Sequence, residues 1–181
     1  MKRNHLFFVL SMVVLFASCS KEEVAPIAAD QPDLSETLES RTSNAVGFKI
    51  GKANANPGDE VCLDVSVKKF TDILGIQYSL AWDADVLTFS QVNNFNLPGL
   101  SGTSFGSPSS DRLTISWIDQ GLSGVTLGNN TTIYSVCFTV VGDPGDETDV
   151  EFNGDPTSIE VIDSDLNILN TSFKAGRVKV K

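Results

Sequence analysis

The sequence predicts an all-β domain, a nine-stranded jelly-roll β-sandwich, over residues 45–181. Apolar residues there recur at every second position in short runs, the pattern of strands that bury one face. The runs are separated by turns rich in Gly, Pro, Asn and Asp. No window of twelve residues within 45–181 has the period of an amphipathic helix. Many short strands at this spacing are typical of an antiparallel sandwich or jelly roll.

The first four strands have the clearest alternation. The first is expected at 46–50 and the second at 61–67. The third ends at Trp82, and Asp83-Ala84-Asp85 follows it as a turn, because short polar side chains bond to the backbone there. The fourth is expected at 86–92.

Longer irregular segments separate the later strands. Residues 93–110 are rich in Asn, Gly, Ser and Pro, with one short fifth strand expected near Ser104-Phe105, and 119–130 is expected to be a loop. The remaining strands follow the same alternation and are expected at 113–117 for the sixth, 133–141 for the seventh, 150–152 and 159–162 for a broken eighth, and 173–180 for the ninth.

Residues 1–19 have the pattern of a secretion signal. Lys2 and Arg3 precede an apolar run at 6–16, which is shorter than the about 20 residues that a spanning helix needs. Phe16-Ala17-Ser18-Cys19 resembles a bacterial lipobox, so Cys19 is expected to be lipidated and to become the first residue. Ordinary signal cleavage that leaves a free thiol is the alternative.

Residues 20–44 are expected to be a disordered acidic tether. They contain Pro26, Pro32 and several acidic residues, with no period of 2 or 3.6. Ser20-Lys21-Glu22-Glu23 resembles the surface-export signal of lipoproteins from the Bacteroidetes. The sequence therefore predicts a surface-exposed outer-membrane lipoprotein that contacts the membrane only through its lipid anchor.

The charge and the histidine content narrow the functions. With 13 basic and 23 acidic residues the net charge is −10, which disfavours nucleic acid and anionic membrane as partners of the folded part. The single histidine, His5, lies in the leader, so the mature chain lacks the histidine of Ser-His-Asp or Cys-His catalysis and of histidine metal sites. Asp83 and Asp119 are weak candidates for glycosidase carboxylates, because turn residues follow both. We expect no enzyme activity and no cofactor.

One short segment has the oxygen pattern of a calcium loop. Asp163, Asp165 and Asn167 place oxygen side chains at alternate positions. The glycine and the terminal glutamate of a calcium loop are missing, so a plain turn is favoured and the metal site stays a weak alternative.

Three motifs together resemble those of cohesin domains. They are the turn Pro57-Gly58-Asp59 between the first strands, an aromatic residue with Asp and Val-Leu at Trp82-Asp83 and Val86-Leu87, and Gly176-Arg177-Val178 near the end. Cohesins are jelly-roll modules that hold dockerin-bearing proteins in bacterial assemblies, and dockerins fold around calcium. The resemblance covers 45–181 and implies a non-catalytic docking module at the cell surface, with a role in polysaccharide breakdown.

The resemblance also implies where the partner and the cysteines lie. A cohesin binds its dockerin on one flat sheet face formed by the third, fifth and sixth strands. The matching outward positions here are Gln77, Ser79, Ala81, Thr114, Ser116 and Ile118, and Asp119 follows directly after them. The second and seventh strands are neighbours in a cohesin, so Cys62 and Cys137 are expected to form a disulfide on the outer face.

Two other functions stay open. Carbohydrate-binding modules share the jelly roll, but they bind sugars through exposed aromatic rings. Trp82, Trp117, Tyr78 and Phe138 all have inward parity, which leaves as outside candidates only Tyr134, Phe95 and Phe105. A structural or adhesive surface domain is the third possibility.

Overall fold

The computed structural model describes residues 45–181, which form two β-sheets packed into a sandwich. The all-β prediction is confirmed for this part of the chain. The leader, the lipidation candidate Cys19 and the predicted tether at 20–44 lie outside the described residues. Among residues 45–181 there is no helix long and apolar enough to cross a membrane.

Thirteen strands and one short 3₁₀ helix, Gly102–Ser104, make up the domain. Numbered in chain order, the strands are β1 (Val46–Ile50), β2 (Lys52–Ala55), β3 (Glu60–Lys68), β4 (Phe70–Ala81), β5 (Leu87–Asn93), β6 (Phe105–Ser109), β7 (Arg112–Ile118), β8 (Val125–Leu127), β9 (Thr131–Val140), β10 (Glu147–Asn153), β11 (Glu160–Asp163), β12 (Thr171–Lys174) and β13 (Gly176–Val180). The five-stranded sheet has the order β12-β1-β3-β9-β5. The eight-stranded sheet has the order β2-β13-β10-β4-β7-β6, and β8 and β11 also pair with β4.

The structure has four strands more than the predicted nine: two because the terminal strands change sheets, one because the broken eighth strand forms β10 and β11, and one in a predicted loop. The predicted ninth strand is split into β12 in the five-stranded sheet and β13 in the eight-stranded sheet. The first strand likewise continues past Gly51 as β2 in the other sheet. Gly176 lies at this crossing, where the Ile50 side chain and the Gly51 carbonyl fill the space that a side chain would need. The predicted loop at 119–130 also contains a short strand, β8.

Aromatic side chains join the two sheets in the core. The hydroxyls of Tyr78 and Tyr134 lie 3.0 Å apart and share a hydrogen bond. Burial raises the pKa of both phenols, so both stay neutral. The indole N–H of Trp82 donates to the Leu87 carbonyl at 3.0 Å, and that of Trp117 donates to the Pro98 carbonyl at 2.8 Å. Each large ring with a polar group therefore has a partner for it.

The placement of Tyr134 as an outside candidate is wrong, since the side chain is 0% exposed. Tyr134 has the same parity as Val136 and Phe138, and all three face the core. Phe95 and Phe105 are half-buried and pack on each other, with ring centroids 6.0 Å apart. Phe105 also meets Tyr134 edge-on at 4.9 Å. These rings extend the core and do not form a flat surface on which a sugar could stack.

Cys62 and Cys137 form a disulfide between β3 and β9. The two residues are directly opposite in the antiparallel ladder, on the outer side of the five-stranded sheet. Cys62 is exposed, whereas Cys137 is buried, and the Asn93 side-chain amide donates to its sulfur at 3.4 Å. The bond closes a loop with a sequence separation of 75 residues.

Candidate docking face

The register of β4 and β7 brings six of the seven predicted face residues onto one surface. Opposite residues in an antiparallel ladder point to the same side of the sheet. Ser116 is opposite Gln77, Thr114 is opposite Ser79, and Ala81 is opposite Arg112. The sixth, Ile118, is opposite Gly75 at the end of β7. We call this surface the docking face: the outward side of β4 and β7, with the adjoining outward residues of β6 and β11.

Ser79 lies on this face but is 0% exposed, which corrects its prediction as a contact residue. The backbone N–H of Thr157 donates to the Ser79 hydroxyl at 3.0 Å. The segment between β10 and β11 therefore covers this position. The alternation of apolar residues could not predict that this segment covers Ser79, because it gives the direction of a side chain and not which other segments pack against it. Ser79 holds a loop in place.

Asp119 is the second correction, because its carboxylate turns into its own loop and the residue is only 7% exposed. It accepts backbone N–H groups from Gly121, Ser123 and Gly124, each at 3.1 Å. These hydrogen bonds, led by that from Gly121, lower the pKa of Asp119 although burial opposes them. A general acid needs the opposite shift, so the geometry suits a loop-organising carboxylate.

An apolar row crosses the docking face at its Ile118 end. Gly75 on β4 lies between Ile118 on β7 and Ile162 on β11, and Ile168 is paired with Ile162 beyond. Ile118 is 46% exposed and Ile168 is 72% exposed. We call Gly75, Ile118, Ile162 and Ile168 the apolar row. At the ordinary strand spacing its four positions extend over about 14 Å.

Gly75 leaves a shallow depression in the middle of the apolar row. The depression has a volume of about 140 Å³, and Gln77, Ser116 and Glu160 line its polar side. A Cβ atom at Gly75 would come within 3.2 Å of the Ile162 side chain. Sequence reasoning missed Gly75, Ile162 and Ile168. The pairing of β11 with β4, which joins segments far apart in sequence, was not visible from the periodicity.

Two carboxylates lie at outward positions beside β4, Glu160 next to the apolar row and Glu151 on β10 at the other end of the docking face. Glu160 is opposite Gln77, and Glu151 is opposite Ala81. The ion pairs found among residues 45–181 involve Asp111, Glu147 and Asp149 as acids, so Glu151 and Glu160 have no cationic partner there. Arg177 binds Asp149 with two hydrogen bonds, of 2.6 and 3.0 Å, which lower the pKa of that carboxyl. The docking face thus combines an apolar row, small polar side chains and unpaired negative charge.

The weak calcium candidates form a turn. The Asp163 carboxylate accepts the backbone N–H groups of Asp165 at 3.0 Å and Asn167 at 2.8 Å. These bonds, with that from Asn167 the largest cause, lower the pKa of Asp163. No group of three His, Cys, Asp or Glu side chains within 45–181 is arranged to hold a metal. The Asp163 carboxylate therefore stabilises the backbone of its own turn.

Comparisons with known proteins identify the family of this domain. The family model for the cohesin domain matches residues 46–180. Solved structures with the same fold include the sixth cohesin of scaffoldin B from Acetivibrio cellulolyticus, in complex with a Cel5 dockerin (TM-score 0.64, 18% identity, 76% of this chain and 99% of that chain covered). A type I cohesin–dockerin complex from Clostridium thermocellum has a TM-score of 0.64 at 18% identity, covering 76% of this chain and 100% of that one.

The likeness extends to an archaeal structure. A non-cellulosomal cohesin from Archaeoglobus fulgidus has a TM-score of 0.61 at 18% identity, with 76% of this chain and 91% of that chain covered. No curated protein matches the sequence. At these identities the solved structures show the shared fold, whereas the family model spans most of the sequence itself. On that match over 46–180, the chain belongs to the cohesin domain family.

Proposed function

We propose that this cohesin domain is a docking module that captures a dockerin-bearing protein on the docking face. Cohesin domains are non-catalytic docking modules and are typically extracellular or at the cell surface. Two solved structures of the same fold are complexes with dockerins. The observation that carries the proposal is the exposed apolar row beside small polar side chains on an otherwise flat sheet face.

The shape of the apolar row matches a helix that lies across the strands. A helix of about ten residues is about 15 Å long, close to the extent of the row. Ile118 and Ile168 would pack against apolar residues of that helix, and the depression over Gly75 would admit one side chain. Burial of an exposed isoleucine contributes about 1.5–3 kcal/mol, so a few such contacts suffice as anchors.

The polar part of the docking face would provide specificity. Gln77, Thr114 and Ser116 offer hydrogen bonds without the desolvation cost of a buried charge. Glu151 and Glu160 lie beside them without cationic partners among the described residues, so basic side chains on the partner would complement them. The expected partner helix therefore has an apolar seam flanked by lysine or arginine.

We also propose that the module is attached to the outer membrane through Cys19 and that residues 20–44 connect the anchor to the domain. If the captured dockerin belongs to an enzyme that degrades polysaccharide, the module would take part in polysaccharide breakdown. The test of the anchor is mass spectrometry of the protein from membranes. We expect an acylated N-terminal Cys19, and an unmodified thiol at that position would contradict it.

The test of the docking function is affinity capture with matched variants. The chain from Ser20 to Lys181 is immobilised and exposed to the organism's own secreted and envelope proteins, with calcium or with a chelator. We expect a protein that is retained only with calcium and that the Ser116→Arg variant fails to retain. The control is Thr88→Arg, on the exposed edge strand of the opposite sheet, which should retain it fully.

Three outcomes would count against docking on this face. Equal capture by Ser116→Arg and by the parent chain would remove the docking face from the account. Retention of insoluble neutral polysaccharide in place of protein would favour a carbohydrate-binding module. Retention of neither would leave a structural or adhesive domain.

A further inference from the structure

A basic pocket lies on the sheet opposite to the docking face, in a chain of net charge −10. It is formed where β12, β1 and β3 meet on the outer side of the five-stranded sheet. Lys49 is directly opposite Lys174 on one side and Ser66 on the other. In the neighbouring register, Gly47 lies between Ser172 and Lys68. Three lysines therefore surround a centre of small residues.

The lysines of this pocket have no acidic partner in the described part of the chain. The ion pairs of residues 45–181 involve Arg112 and Arg177, and no aspartate or glutamate lines the pocket. Like charges directly opposite each other destabilise a sheet, and Lys49 and Lys174 are such a pair. An anion that binds between the two ammonium groups would offset the repulsion between these like charges.

The pocket is concave because Gly47 has no side chain. Its volume is about 250 Å³, and its uncharged polar lining consists of Ser66, Ser172 and Asn130. A Cβ atom at Gly47 would meet the Lys68 Cβ and the Ser172 hydroxyl oxygen at 3.4 Å, an ordinary contact distance. A side chain at position 47 would thus be tolerated sterically, but it would fill the floor of the pocket.

We propose that this pocket binds an acidic polysaccharide that carries carboxylate or sulfate groups. The ammonium groups would bind the anionic group, and the hydroxyls of Ser66 and Ser172 and the Asn130 amide would bind sugar hydroxyls. A concave pocket suits a chain of saccharide units better than a flat membrane surface. Its location on the other sheet leaves the docking face free, so the domain could hold a protein and a glycan at once.

The negative net charge of the chain means that a polyanion could bind only through local contacts with the pocket. A net charge of −10 repels polyanions at long range, so attraction must come from local contacts. Neutralising any two lysines changes the net charge equally. A local site is therefore distinguished from general charge attraction by which lysines matter.

The test measures binding of the chain Ser20–Lys181 to polygalacturonate and to dextran sulfate by isothermal titration calorimetry. Methyl-esterified polygalacturonate and dextran are the neutral controls. The pocket variant is Lys49→Gln with Lys174→Gln. Its matched control is Lys52→Gln with Lys179→Gln, which removes two exposed lysines from β2 and β13. We expect binding of at least one acidic polymer and of neither neutral one, and a loss of about tenfold or more in the pocket variant alone.

A second variant removes the pocket without a change in charge. Gly47→Val fills the floor and should abolish binding, while the unfolding temperature shows whether the domain has kept its fold.

Equal losses in the two lysine variants, or no binding of either acidic polymer, would overturn the proposal. Binding only to vesicles of anionic lipid would assign the lysines to the membrane. Binding that appears only without residues 20–44 would assign the pocket to the acidic segment of the chain itself. Either result would also overturn the proposal.

Discussion

The outward polar side chains at the centre of the five-stranded sheet are hydrogen-bonded to one another, whereas several at the centre of the docking face are not. On the five-stranded sheet, a disulfide joins β3 and β9, and Ser135 donates to the Asp64 carboxylate at 2.6 Å while it accepts the Asn94 amide at 3.2 Å. On the docking face, Gln77, Ser116 and Glu160 have no side-chain hydrogen bond to another described residue. The β3–β9 part of the five-stranded sheet pairs these polar groups with one another, whereas the three named groups of the docking face stay available.

This difference separates stability from recognition. A surface whose side chains bond to each other resists unfolding and offers little to a partner. A surface with unpaired polar groups around exposed isoleucines adds little to stability and can bind. Variants of the two surfaces should therefore change different quantities, either the free energy of unfolding or the affinity for the partner.

The largest effect is expected from the disulfide. Replacing both cysteines with alanine, Cys62→Ala with Cys137→Ala, opens a loop with a sequence separation of 75 residues. The chain-entropy model gives a loss of about 4.5 kcal/mol in the free energy of unfolding. Urea denaturation measures the loss, and affinity for the captured partner should not change. A loss of affinity without a loss of stability would break the separation.

The next effect is expected on binding alone. Ile118→Asp places a charge in the apolar row and should weaken docking by about 2–3 kcal/mol, or roughly 30- to 150-fold. Ile118 is 46% exposed, so the free energy of unfolding should change little. Titration calorimetry with the captured partner measures the affinity. Thr88→Asp on β5 is the matched control, and an equal loss there would show that the introduced charge acts non-specifically.

Asp119 gives a pH-dependent prediction. Its folded-state pKa is lowered, so its contribution to stability is complete above the unfolded value of about 3.9 and is lost as the pH falls through the folded value. Asp119→Asn should reduce stability at pH 7 by less than the loss of the disulfide. The difference between the two proteins should shrink below about pH 4. A difference that stays constant down to pH 2 would contradict the assigned role of the carboxylate.

The smallest effect is expected at Ser79. Ser79→Ala removes the acceptor of the Thr157 N–H and should cost about 1 kcal/mol of unfolding free energy. Docking should be retained, because the hydroxyl is covered. Loss of docking with an unchanged free energy of unfolding would show that Ser79 contacts the partner directly.

The alternation of apolar residues was enough to predict the core and the class of fold. Tyr78, Leu80 and Trp82 are buried as their parity requires. The strand count was not predictable, because the changes of sheet at Gly51 and before Gly176 depend on how the first and last strands cross. Periodicity reports which side a residue faces, and it has no information on which strands become neighbours.

The docking face shows the same limit more sharply. Gln77, Ser116 and Ile118 were predicted from parity and the cohesin resemblance, and they lie together on the outer surface. Ser79 has the parity of a contact residue, but a loop covers it. Asp119 directly follows the exposed Ile118, but its carboxylate accepts three backbone N–H groups of its own loop. The apolar row needed the register of β11 against β4, which no local pattern contains.

Docking on this face can be tested directly by titrating the isotope-labelled chain with its calcium-dependent partner and following the nuclear magnetic resonance spectrum. We expect the amide signals of Gly75, Gln77, Ser116, Ile118 and Ile162 to shift, while those around the disulfide of β3 and β9 stay in place. Shifts confined to the five-stranded sheet would contradict the central claim that the unpaired face is the one that docks.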